Sequence, residues 1–159
     1  MPHVVDNHIL IPQMAALLRE GKQVRFTPTG NSMRPFIEGG TDTVVLRLKN
    51  KVKVGDMCLA AIPSKANNAQ VIYVLHRVIR VKGNDITLQG DGNLRGYEYC
   101  TREDILGTVE TIIKPDGRRV TPRNGWVWRW LCRPRSLWLK LYRHIFIYKT
   151  LMPLKWKKH

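Results

Sequence analysis

A mainly β domain, built as a small curved sheet or partly open barrel and flanked by a short N-terminal helix and a basic C-terminal helical arm, is the fold the sequence predicts. Three observations lead there. Between Gln23 and Ile113, apolar runs rich in Val, Ile, Thr and Tyr are punctuated by Gly, Asn, Asp and Pro, which is how strands and their turns read. Helical spacing of apolar residues occurs only before and after that stretch. The charge also divides: residues 1–116 hold 15 Lys/Arg and all 12 acids, for +3, whereas residues 117–159 hold 12 Lys/Arg and no acid, for +12.

The elements follow in order. Met14, Leu17 and Leu18 at helical spacing predict one helix from Pro12 to Glu20, with Pro12 in its first turn and Gly21 as its stop. Strands are expected at Val24–Phe26, Thr43–Leu48, Met57–Ile62, Val71–Val81, Asp85–Leu88 and Ile105–Ile113. Lys82-Gly83-Asn84-Asp85 and Lys114-Pro115-Asp116-Gly117 read as turns, and Thr101–Asp104 as a capped single turn leading into Ile105. Ser64–Ala69 reads as a polar, mobile loop. The chain therefore divides into an N-terminal helical segment (1–22), a β domain (23–116) and a basic arm (117–159).

The composition sets limits on function. With 159 residues, 43% hydrophobic and 25% charged, the chain suits one compact domain and not a disordered chain. No run approaches the roughly 18 apolar residues of a membrane-spanning helix, and the N-terminus lacks the pattern of a signal peptide. Cys58, Cys100 and Cys132 are odd in number and form no C-x-x-C pair, so neither a disulfide framework nor a zinc site is expected and a reduced, intracellular setting fits. No cofactor or metal is expected. All five tryptophans lie in the arm, where Trp126, Trp128, Trp130 and Trp138 mix with cations such as Lys140 and Arg143. Indole rings and cations at this density suit an anionic membrane surface. Packing of the arm on the domain is the alternative, and nucleic acid is the less favoured partner.

Three segments carry residue types suited to acyl transfer: Gly30-Asn31-Ser32, the strand around His76, and Gly90-Asp91-Gly92-Asn93. A serine hydroxyl needs a neighbouring base to take its proton, worth roughly 10² to 10⁴ in rate. Imidazole is the side chain suited to that task at neutral pH, and a carboxylate such as Asp91 on its other nitrogen fixes the tautomer. A glycine at position 30 allows a sharp turn that exposes Ser32 and aims its N–H at a developing oxyanion.

These segments resemble the boxes of the type I signal peptidases and their serine-peptidase relatives. Gly30-Asn31-Ser32-Met33-Arg34-Pro35-Phe36-Ile37 is similar to the nucleophile box G-x-S-M-x-P, Val54-Gly55-Asp56-Met57 to the V-G-D strand start, and Leu75-His76-Arg77-Val78-Ile79 to the H-R-V-I strand. Gly90-Asp91-Gly92-Asn93 resembles the G-D-x-N turn, and Ile105-Leu106-Gly107-Thr108-Val109 the closing strand. The resemblance covers residues 23–113, and the histidine at the base position places it with the histidine branch of that superfamily. It implies a signal-peptidase type of fold, Ser32 as nucleophile, His76 as general base and then acid, Asp91 as its support, and the Ser32 N–H as an oxyanion donor. Glu98 lies in the region where that branch carries a second acidic residue. The implied substrate is a protein leader or signal segment, bound extended along a strand edge with small side chains near the cut. With the arm, this gives a peripheral protein of the cytoplasmic membrane face. A catalytically inactive basic β domain and a repressor-type autoprotease are the other readings.

Overall fold

The computed structural model describes residues 7–64, 71–93 and 95–122, together with isolated helical residues at 137, 140, 141 and 144. Contacts divide the chain into two units, Met1–Gly125 and Trp126–His159. The loop expected at Ser64–Ala69 falls outside the described residues from position 65 onward. So do Trp126, Trp128, Trp130, Trp138 and Arg143 of the arm. In the second unit Leu137, Lys140, Leu141 and His144 are exposed.

Among its described residues the first unit is mainly β, one open antiparallel sheet with a single helix. Helix α1 spans Asn7–Arg19. Strands β1 (Val24–Phe26), β2 (Thr43–Arg47), β3 (Met57–Pro63), β4 (Val71–Lys82), β5 (Asp85–Gln89), β6 (Glu98–Thr101), β7 (Ile105–Ile113) and β8 (Arg119–Val120) follow. Their order across the sheet is β1-β2-β7-β3-β4-β5-β6, with β8 paired to β7.

Helix α1 starts earlier than its pattern predicts, and Pro12 lies inside it, not in its first turn. Burial explains the difference: Ile11 and the partly buried Leu10, both ahead of the proline, join Met14, Ala15 and Leu18 on the inward stripe, and Leu17 is left exposed. Each large side chain so buried contributes about 1.5–3 kcal/mol, enough to draw the helix back past its proline. Gly21 closes it with φ +79°, while the Lys22 N–H donates to the Leu17 carbonyl.

Strand alternation gives the sheet a core on each face. On β3, Met57 and Leu59 join α1, Val44, Leu46, Leu75, Val109 and Ile112 on one face. Cys58, Ala60 and Ile62 face the other way, with Val78, Ile86, Leu88 and Cys100. Register shifts at Val45/Leu46, Leu59/Ala60 and Val78/Arg80 interrupt the ladders where long strands would otherwise lie flat.

The boundary predicted at residue 117 moves. Arg119 and Val120 pair with Ile113 and Ile112, so the turn at Lys114–Gly117 is a hairpin inside the β domain. The second unit begins at Trp126 and carries nine Lys/Arg and no acid. Among the described residues, no helix is long and apolar enough to cross a membrane.

Candidate active site

Ser32 sits in a run of turns between β1 and β2, and its neighbours explain why that run holds one shape. Met33 and Ile37, four residues apart, are fully buried in the α1-side core and anchor the turn from below. Arg34 N–H donates to the Asn31 carbonyl, and the Phe36 and Ile37 N–H groups both donate to Met33. The Arg34–Pro35 peptide is cis. Further along, the Glu38 N–H donates to Asp42 Oδ2 at 2.7 Å, and Lys114 Nζ donates to the same oxygen at 2.6 Å and to the Phe36 carbonyl at 3.1 Å. Asp42 is buried and charged, so Lys114 supplies the countercharge that lets the loop close on the sheet.

Ser32 and His76 come together. His76, buried on β4, places Nε2 2.9 Å from Ser32 Oγ. Its Nδ1 lies 2.9 Å from Glu98 Oε2 on β6. A carboxylate can only accept, so Nδ1 carries the proton and donates to Glu98. In the neutral ring this leaves the Nε2 lone pair facing the serine hydroxyl, the arrangement needed for proton removal.

The group on Nδ1 is therefore Glu98 and not Asp91, which corrects the role expected for Asp91. Strand register supplies the reason. Leu88 pairs with both Val78 and Glu98, so Glu98 shares the sheet face of Val78 and of His76 two residues away. Arg77 pairs with Gln89, and Asp91 lies two residues beyond Gln89, on the opposite parity. Asp91 is accordingly occupied by Arg77. Arg77 Nε donates to Asp91 Oδ1 at 2.8 Å and Oδ2 at 3.0 Å, and Nη2 donates to Oδ2 at 2.6 Å.

Arg77 holds more than this carboxylate. Its Nη1 donates to the Gly55 carbonyl at 2.7 Å, and its guanidinium carbon lies 5.1 Å from the centre of the Phe36 ring. The side chain thereby ties β4 to the start of β3, to the Asp91 turn and to the loop that carries Ser32. A buried arginine in an apolar strand demands an acid, and Asp91 is the acid in the facing turn; that is the signal by which the sequence could have assigned the pair.

The Asp91 turn in turn supports the nucleophile. The Gly92 N–H donates to the Ser32 carbonyl at 2.7 Å. A Cβ on Gly90 would lie 2.7 Å from the same carbonyl oxygen, so the approach requires a bare α-carbon. Gly30 differs from its expected role: its φ is not in the left-handed region and a Cβ there would meet open space. Gly30 and Asn31 are both exposed beside Ser32.

A cleft of about 470 Å³ opens at the dyad. It runs along residues 25–30, the continuation of β1, and faces Tyr73–His76 of β4, with Leu10 and Ile11 of α1 in its wall. Behind the sheet, Cys58 and Cys100 are free buried thiols, and burial pushes them up to about 12 and about 11. Such thiols are poor nucleophiles at neutral pH. No protein-family model matches the chain, and no curated protein matches it.

Proposed function

We propose that this protein is a serine endopeptidase of the type I signal peptidase-like superfamily, histidine branch, acting through Ser32, His76 and Glu98. The observation that carries the reading is the continuous chain of contacts from Glu98 through His76 to Ser32, at 2.9 Å each, opening on a cleft. Structural ion pairs also bury histidines, but they do not place the free ring nitrogen on a serine at the mouth of a peptide-sized groove.

The chemistry follows from the geometry. His76 Nε2 takes the Ser32 proton as Oγ bonds to the substrate carbonyl carbon, and the imidazolium so formed is held by Glu98. The carbonyl oxygen gains the negative charge, for which the Ser32 N–H is the proposed donor. His76 then gives its proton to the leaving amine as the C–N bond breaks. A water, deprotonated by the same nitrogen, releases the acyl group and restores the serine. Asp91 and Arg77 act outside this proton path, holding the Ser32 turn in position.

The substrate is proposed to be a leader or signal segment of a protein, lying extended beside β1. The second unit, with all five tryptophans and nine Lys/Arg, supports attachment to an anionic membrane surface at the cytoplasmic face. Hydrolysis of an internally quenched peptide library tests the enzyme reading. Wild-type protein should cleave members that Ser32→Ala and His76→Ala leave intact, with losses of about 10³-fold or more. Equal cleavage by wild type and Ser32→Ala would contradict it.

A further inference from the structure

The cleft beside the dyad is not a shallow seat for small side chains. Its wall includes Leu10, Ile11, Phe26, Met33, Leu59 and Leu75, drawn from α1, β1, the nucleophile loop, β3 and β4. Ile11, Met33, Leu59 and Leu75 are buried members of the α1-side core, so this wall is part of a packed structure and does not collapse onto an empty groove. The 470 Å³ of space falls within the range of clefts that enclose whole ligands. Arg25 and His76 are the basic side chains at its lining, and among the described residues no carboxylate lines it.

We infer that this cleft selects a large aliphatic side chain, leucine or methionine, close to the scissile bond, and that Leu10 of α1 is a specificity-determining residue. The inference rests on the peptidase reading for what the cleft holds, and it names the substrate class more narrowly than that reading does. The polar lining residues Arg25, Thr27 and Thr29 are exposed, whereas the buried part of the wall is Ile11, Met33, Leu59 and Leu75, so a polar side chain that reached this buried part would lose its water without gaining partners. The presence of α1 in the wall is the distinguishing feature. Leu10 is partly buried and lines the cleft, whereas Ile9 beside it is 58% exposed. The N-terminal helix therefore shapes the site as well as covering a core.

The test separates binding from catalysis by using full-length Ser32→Ala protein and an array of ten-residue peptides that differ at single positions. Binding should prefer Leu and Met over Ala by roughly ten- to two-hundred-fold at one position, the discrimination that a few methylenes supply in an apolar pocket. Leu10→Trp, in the same Ser32→Ala background, should narrow the cleft beside Leu10 and shift the preference toward Ala and Gly. Leu10→Ala should extend it toward Phe. Leu17→Ala, on the exposed side of α1, is the control that leaves the pattern unchanged, and thermal melting establishes that each variant folds. A preference for Ala, a flat response, no binding by any peptide, or a pattern unmoved by Leu10→Trp overturns the inference. Aliphatic-selective binding by Ser32→Ala together with no cleavage by wild type leaves the inference standing and removes the peptidase reading.

Discussion

Replacing Asp91 by alanine should cost more than almost any other single change in the β domain, and the reason lies in what it leaves behind. The side chains of Arg77 and Asp91 are only 2% and 3% exposed, and the guanidinium makes three of its contacts to this carboxylate. Asp91→Ala strands a cation where water does not reach. Removing one partner of such a pair costs about 3–5 kcal/mol, a large share of the roughly 5–15 kcal/mol that stabilises a whole domain. At about 4 °C per kcal/mol, this is a fall of roughly 12–20 °C in Tm. Urea unfolding at pH 7, followed by far-UV circular dichroism, reads it directly. A double variant, Arg77→Met with Asp91→Leu, should be more stable than Asp91→Leu alone, since it removes the orphan charge with its partner. An Asp91→Ala protein that unfolds within about 1 kcal/mol of wild type, or a double variant less stable than Asp91→Leu, would show that the buried Arg77 charge does not depend on Asp91.

Other consequences are equally direct. Glu98→Gln can donate an amide N–H to His76 Nδ1, which would move the ring proton to Nε2; kcat should fall by roughly 10²–10⁴ with little change in Tm, and Glu98→Asp should restore part of it. Gly90→Ala sets a Cβ 2.7 Å from the Ser32 carbonyl oxygen, so it should cost at least about 1 kcal/mol and reduce activity, whereas Gly30→Ala meets nothing within 4 Å and should leave the urea midpoint unchanged. Burial raises the Cys58 thiol from 9.0 to about 12 in the folded protein. Below the lower value the thiol is protonated in both states; above it the unfolded chain ionises first, so stability falls with rising pH by about 1.4 kcal/mol per unit. Unfolding free energy measured from pH 8 to 10.5 should therefore decline more steeply for wild type than for Cys58→Ala, and parallel curves would contradict the assignment.

The central strands were legible because their patterns are local. β1 and β7 run as the alternation and turn signals predict, and β2 to β5 differ by a residue at their ends. β6 leaves little trace in the sequence because Glu98-Tyr99-Cys100-Thr101 is short, lies at the sheet edge and follows a polar turn, so its apolar content is slight. The same weak signal bears on which carboxylate meets His76. Asp91 and Glu98 are both plausible partners for His76 in a linear reading, and only the register of β5 against β4 and β6 separates them. The start of α1 departs from its local pattern for a different reason. Pro12 favours a first turn by its own preference, but burial of Ile11 and, in part, Leu10 ahead of it outweighs that preference. Gly30 has the turn-glycine pattern, but the close approaches belong to Gly39, where a Cβ would clash with the Gly30 and Thr29 carbonyls, and to Gly90 across space.

The most direct test of the account is covalent labelling of the full-length protein with a fluorophosphonate, read by intact mass and by mapping of the modified peptide. Attack by an activated serine leaves a phosphonyl adduct on its oxygen and expels fluoride, so a single adduct on Ser32 is the predicted result, absent in Ser32→Ala and strongly slowed in His76→Ala. Labelling that persists in Ser32→Ala, or a wild-type protein that stays unmodified while its fold is intact, contradicts the claim that Ser32, His76 and Glu98 form a working nucleophile.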